Sequence, residues 1–189
     1  MTLVFATHNL NKLKEVQALV PSHITIKGLQ DIGCTEDIVE DAPTIKGNAI
    51  LKATYVKENY GYDCFADDTG LEVQALNGAP GVYSARYAGP KCDASDNMNK
   101  LLIALSVHKY RTAQFKTVIA FAKGNTVTTY EGICKGSITK ERMGDDGFGY
   151  DPIFLPDGYE DTFAQMALSL KNKIGHRGKA MKQFLTDLF

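Results

Sequence analysis

A short apolar run, Leu3 to Ala6, gives way at Thr7-His8-Asn9 to apolar residues at helical spacing, Leu10, Leu13, Val16, Leu19 and Val20, which Pro21 halts. Strand, tight turn and helix in that order limit the chain to folds in which the two elements alternate, and the alternation continues. Thr44 is placed to cap a second helix through about Tyr60, with Ile45, Ala49, Ala53, Val56 and Tyr60 on one side. Cys64 to Ala66 reads as a short strand, and Leu71 to Leu76 as an alternating segment that meets the turn signal Asn77-Gly78. Ser95 is placed to cap a helix with Met98, Leu101, Leu102 and Leu105 inward. Phe115 to Phe121 and Thr126 to Tyr130, joined through Gly124-Asn125, read as an antiparallel pair, Ile153 to Leu155 as a strand and Ala180 to Leu188 as a helix. No repeat and no Pro/Gly/Ser linker interrupts this order, so one domain over residues 1–189 is expected, of α/β class, with two lobes sharing a long mixed sheet around a cleft.

At 189 residues the chain can bury one sizeable core, since domains commonly run to ~100–200 residues. A formal net charge of −1 argues against nucleic acid as a partner, which needs a broad basic face, so any anionic ligand must be held locally. The N-terminal Met-Thr-Leu-Val-Phe-Ala-Thr-His lacks a charged leader region, and no apolar run reaches the ~18 residues of a membrane span. A soluble, cytoplasmic protein without a membrane partner is expected. Cys34, Cys64, Cys92 and Cys134 stand at unmatched spacings and read as free thiols rather than as a zinc site or a disulfide framework.

Five groups of residues carry candidate chemistry. Thr7-His8-Asn9-Leu10-Asn11-Lys12 lies where a strand hands over to a helix, where amides and a cation favour phosphate, although Asn9 alone also reads as a simple helix cap. Asp67-Asp68-Thr69-Gly70 follows an apolar strand; two adjacent acids there suit Mg²⁺, a hard cation that takes one or two carboxylates, or else form a solvated turn. The run Glu36-Asp37-Ile38-Val39-Glu40-Asp41 offers a further metal ligand or a surface that complements a helix dipole. Gly147-Phe148-Gly149-Tyr150-Asp151-Pro152 couples aromatic rings to glycines, fit either to stack a nucleobase or to pack a turn. Lys171, Lys173, His176, Arg177 and Lys179 offer donors to a phosphate or a purine carbonyl, or form a solvated basic stretch.

Taken together and in order, Thr7-His8-Asn9-x-x-Lys12, Asn48-Ala49 with Lys52-Ala53, Ala66 to Leu71, Pro80 to Tyr87, Phe148 to Pro152 and Lys171 with His176-Arg177 resemble the motifs of the inosine/xanthosine triphosphate pyrophosphatases, the Ham1-like family, over essentially the whole chain. The resemblance implies an ITPase-like fold with a central nucleotide cleft, a homodimer, Mg²⁺ dependence, and hydrolysis of deaminated purine nucleoside triphosphates (ITP, dITP, XTP) to monophosphate and pyrophosphate, which keeps them out of DNA and RNA. Carried over by position, Thr7 to Lys12, Thr69 and Lys171 would hold the triphosphate, Glu40 and Asp68 the metal, and Asp68 would accept the proton of the attacking water with Asp67 in support. Phe148, Gly149, Tyr150 and Asp151 with His176 and Arg177 would form the base pocket.

The chain departs from the family pattern at His8, where Gly is usual, at Thr69 for Ser, and at Gly175, where the motif has Ser. Two other readings separate by product: a phosphatase would release orthophosphate, although its acids stand two apart rather than adjacent, and a nucleotide-binding regulator would release nothing.

Overall fold

The computed structural model describes residues 2–188. Strand β1 (Thr2–Phe5) leads into helix α1 (Leu10–Gln17), and β2 (Thr25–Lys27) returns parallel to β1 with Leu3 opposite Ile26. Helix α1 stops at Gln17, so Leu19 and Val20 of the periodic run pack as partly buried residues beyond its end, while Leu10 stays 76% exposed. Helix α2 (Ile45–Tyr60) begins where expected: Thr44 Oγ1 accepts the Gly47 amide, and Gly61 closes the far end in the left-handed region at φ 74°.

The two short strand segments expected around the aspartates are one strand, β3 (Cys64–Val73), parallel to β1 with Phe5 opposite Phe65. The paired acids therefore sit inside a strand and not after its end. The turn at Asn77-Gly78 has both residues at positive φ and brings β4 (Pro80–Gly81) back antiparallel onto β3, Leu71 opposite Gly81. Helix α3 (Ala94–Ala104) is capped by Asp93 Oδ1 on the Asp96 amide, and not by the expected Ser95, which lies inside the helix. Strands β5 (Thr112–Lys123) and β6 (Thr126–Ile138), linked by Gly124-Asn125, are far longer than their β-branched cores suggest, and β7 (Phe154–Pro156) pairs antiparallel with β6. The sheet order is β2-β1-β3-β5-β6-β7 with β4 on β3, a mixed sheet in an α/β fold. Helix α4 (Leu168–Ile174), which the sequence does not signal, precedes α5 (His176–Leu188), which starts four residues before the expected Ala180.

The chain divides into two compact units whose boundaries fall inside β3, β5, β6 and the first turn of α5: the first holds residues up to Asp68, Thr117–Gly132 and those from Arg177, the second Thr69–Lys116 and Ile133–His176. The first unit's core is built on Phe5 stacked against Phe65 at 4.6 Å, with Phe184 of α5 5.0 Å from Phe65. All three rings are fully buried, which stabilises the fold by ~1.5–3 kcal/mol each. The second unit packs Leu71 and Val73 of β3 with Met98 and Leu101 of α3, with Leu105 just past its end, and with Phe115, Phe154 and Phe163. Among the described residues no helix is long and apolar enough to cross a membrane. The cysteines are free thiols, as expected.

Candidate active site

At the start of α1, Thr7 Oγ1 accepts the Asn9 amide, and Asn9 Oδ1 accepts the amides of Asn11 and Lys12. Asn9 is thus a helix cap, and it already takes the Asn11 and Lys12 amides that a phosphate could use. What this segment adds to the site is Lys12, whose Nζ reaches Asp67 Oδ1 at 2.9 Å, 55 residues along the chain. His8 is exposed, and its Nε2 lies 3.0 Å from the Glu36 carbonyl, which can only accept, so the ring donates there. Leu10 and Asn11 are exposed as well.

Asp67 is 1% exposed and is met from two directions: by Lys12 on Oδ1, and by Arg177 on Oδ2, with both Nε and Nη2 at 2.9 Å. Arg177 Nη1 also donates to Glu15 Oε2, so the guanidinium is held between two buried carboxylates. Burial alone would raise the Asp67 pKa, but the charges of Lys12, Arg177 and Lys52 overcome it and hold the carboxyl well below the usual range. Arg177 is pulled down by burial and carried above its ordinary value by Asp67 and Glu15. Lys12 goes the other way: burial lowers it more than Asp67 restores. Grouped in the sequence with His176 as a base contact, Arg177 is by its bonds a member of the acid cluster.

Asp68, one residue on, points the other way in the pleat and meets different groups. Asn48 Nδ2 of α2 donates to its Oδ2 at 3.4 Å, and Lys52 Nζ lies 4.0 Å from its Oδ1. Here burial prevails: it raises the pKa, Lys52 and Lys12 oppose it, and Glu40 and Asp67 push it further up. Lys52 Nζ also bonds Glu40 Oε2 at 2.9 Å, so one ammonium faces the two carboxylates that the resemblance assigns to the metal. Asn48 and Lys52, 2% and 7% exposed, stand out in the sequence only as motif residues, and Glu15 not at all. Burial of a polar side chain, their common signal, is invisible without the fold.

Among the acids before α2, Glu36 is committed elsewhere. Tyr60 donates to both of its oxygens at 2.6 and 2.9 Å and Tyr55 to Oε1 at 2.8 Å, which brings its pKa down to about 2. Glu40 is the acid of the run that Lys52 holds beside Asp68. Among the described residues no three of His, Cys, Asp and Glu gather as a metal site. Two hard carboxylates beside a single shared ammonium nevertheless suit Mg²⁺, which takes one or two protein carboxylates and fills its remaining positions with water and phosphate oxygens. Four carboxylates (Glu15, Glu40, Asp67, Asp68) meet three cations (Lys12, Lys52, Arg177), so the cluster has a negative balance for a cation to neutralise.

In the second unit, Asp151 Oδ2 accepts from Lys171 Nζ at 2.5 Å and from the Phe148 amide at 2.8 Å. Gly147, at φ 78°, lies so close that a side chain there would collide with the Asp151 carboxylate. Lys171 sits 4.9 Å over the Phe148 ring and 5.6 Å over Phe163, and His176 stacks on Phe115 at 4.5 Å. Tyr150 donates to the Ser84 carbonyl at 2.9 Å. Thr69 and Gly149 are half-buried, while Asp151, Lys171 and His176 are buried, so the basic run is no solvated stretch except at Lys173 and Lys179. Gly175 closes α4, and a Cβ there would meet the Lys171 carbonyl at 2.6 Å, so a serine at this position would require the backbone to shift.

Comparison with known proteins covers the whole chain. A protein from Flavobacterium johnsoniae named dITP/XTP pyrophosphatase is 60% identical over 98% of this chain and 96% of its own length, and one of the same name from Flavobacterium psychrophilum is 58% identical over 100% and 99%. Among solved structures, a HAM1 protein from Coxiella burnetii superposes with a TM-score of 0.91 at 36% identity, covering 100% of this chain and 98% of its own. The Ham1 protein of Staphylococcus aureus gives 0.89 at 35%, with the same coverage. The Ham1 family model matches residues 3–187, so that the ordered motifs, the mixed α/β fold and the long relatives agree, and the chain belongs to the Ham1 family.

Proposed function

We propose that this protein is a dITP/XTP pyrophosphatase that hydrolyses deaminated purine nucleoside triphosphates to the monophosphate and pyrophosphate with Mg²⁺ as cofactor. The names borne by relatives 56–60% identical over nearly the whole chain support the reaction class. The observation that carries the chemistry is the contrast between the two neighbouring aspartates: Asp67 is bonded by Lys12 and Arg177, each at 2.9 Å, while Asp68 shares Lys52, 4.0 Å away, with Glu40.

In this reading Asp68 accepts a proton from the water that attacks the α-phosphorus, and pyrophosphate departs. Glu40 and Asp68 would hold Mg²⁺, which when bound supplies positive charge to the phosphate oxygens. Lys12 and Lys52 add their ammonium charges to the same anion, and Asp67 keeps Lys12 in place. Lys171, with Thr7 and Thr69, is assigned to the triphosphate. Phe148, Gly149, Tyr150, Asp151 and His176 are assigned to the base, with rings for stacking and donors for a 6-oxo group that adenine lacks. A homodimer is part of the same proposal, checked by sedimentation.

The test is a panel of ITP, dITP, XTP, dGTP and dATP with Mg²⁺, products separated. Pyrophosphate with monophosphate from the first three supports the reading, and its loss on chelation supports the metal. Orthophosphate as the first product would make the protein a phosphatase, and binding without turnover a regulator.

A further inference from the structure

Thr35 to Pro43 form no helix or strand, yet this segment carries Glu40. What fixes it is a series of side-chain bonds to one helix. The Ala42 amide donates to Asn48 Oδ1 at 2.9 Å, Lys52 donates to Glu40, and Tyr55 and Tyr60 donate to Glu36. The partners run in opposite order, 42 with 48, 40 with 52, and 36 with 55 and 60, so the segment lies antiparallel along one stripe of α2. From Asn48 to Tyr60 the helix advances ~18 Å at ~1.5 Å per residue, and six extended residues reach ~20 Å, so little slack remains. At its far end Glu36 takes hydroxyl donors from two tyrosines of α2, and its carbonyl takes the His8 donor from the loop that begins α1.

We infer that Glu36 is a positioning residue: latched to Tyr55 and Tyr60, it holds the 36–42 segment along α2 and so sets where Glu40 presents its carboxylate to the metal. The inference rests on the reading of Glu40 as a metal ligand. Groups that orient a ligand from behind typically govern affinity by ~10–100-fold, and a surface latch belongs at the lower end. Glu36 is exposed, so its replacement leaves no buried charge and spares the fold.

The experiment is titration with Mn²⁺ alone, followed by electron paramagnetic resonance of the free ion, on the parent chain, Glu36→Gln, the double variant Tyr55→Phe/Tyr60→Phe, and Glu40→Gln, with thermal melting of each. Expected are a roughly tenfold weaker Mn²⁺ affinity in the first two variants with melting near the parent, and loss of binding in Glu40→Gln. At saturating Mg²⁺ the KM for dITP should stay unchanged while the Mg²⁺ concentration for half-maximal rate rises by the same factor. Parental Mn²⁺ affinity in both latch variants, with binding lost in Glu40→Gln, would overturn the inference alone. Parental affinity in Glu40→Gln would overturn the metal reading on which it depends.

Discussion

The first unit gathers seven buried or half-buried charges of both signs, Asp67 and Asp68 among them, whereas the second sets the ion pair of Asp151 with Lys171 among the rings of Phe148 and Phe163. One region is a largely buried charge cluster with more carboxylates than cations; the other is close to neutral and offers flat faces. Charge clusters suit phosphate and metal, whose recognition is electrostatic, while aromatic faces with a few fixed donors suit a planar base. The same residue types, acids and basic side chains, therefore mean different things in the two units, and the difference lies in what surrounds them.

The largest effect should come from Asp68→Asn, which keeps shape and removes the proposed proton acceptor. The expected fall in kcat is about 10²–10⁴-fold with melting unchanged or slightly raised, since burial already disfavours that charge. Parental kcat in the folded variant would sink the assignment. Asp67→Asn sharpens the contrast: it strands Lys12 and Arg177 without their shared anion, and breaking a buried pair costs about 3–5 kcal/mol. Its melting temperature should drop by roughly 10 °C, read by calorimetry. A variant as stable as the parent would mean that Asp67 does not anchor the cluster.

In the second unit, Lys171→Met should cost less, about 2 kcal/mol, because Asp151 retains the Phe148 amide. It should raise the KM for dITP without moving Mg²⁺ half-saturation; if the Mg²⁺ requirement shifts equally, the division of labour between the units is wrong. The smallest effect is a pH dependence at the exposed Glu36. Its folded pKa of about 2 lies below the ordinary 4.5, so its contribution is present above about pH 4.5 and is lost as pH falls toward 2. Glu36→Gln should flatten the acid limb of stability in that window, and an unchanged limb would refute the latch as a source of acid sensitivity.

How much of this is legible in the sequence differs between the same regions. Helix α2 is readable from Thr44 to Tyr60 because a cap, an apolar stripe and a terminal glycine agree locally. The acids are harder to place, since two aspartates look like an end to a strand when the cations that make them tolerable inside it lie elsewhere. Lys12 is 55 residues from Asp67, Arg177 is 110 away, and Glu15 lies 162 from Arg177, and no local pattern announces such pairs. Helix α4 escapes notice because Leu168–Ile174 has no side-chain cap and is too short, at 7 residues, to show a helical period. The second unit's Phe148-to-Pro152 run is legible as a motif, but the sequence leaves open whether its rings face a ligand or the core, and the Lys171 ammonium over Phe148 gives that ring a polar side.

The adjacency of Asp67 and Asp68 within β3 has one more consequence. Side chains of a strand alternate in direction, so neighbours are sorted into separate surroundings at no cost in chain length, whereas acids two positions apart would share one face and repel. A single-residue insertion or deletion between Cys64 and Asp67 would therefore turn both carboxylates to the opposite faces of the sheet, taking each away from the cations it now meets, Asp67 from Lys12 and Arg177 and Asp68 from Lys52. The register of this strand, more than the identity of either acid, sets which neighbours each carboxylate meets.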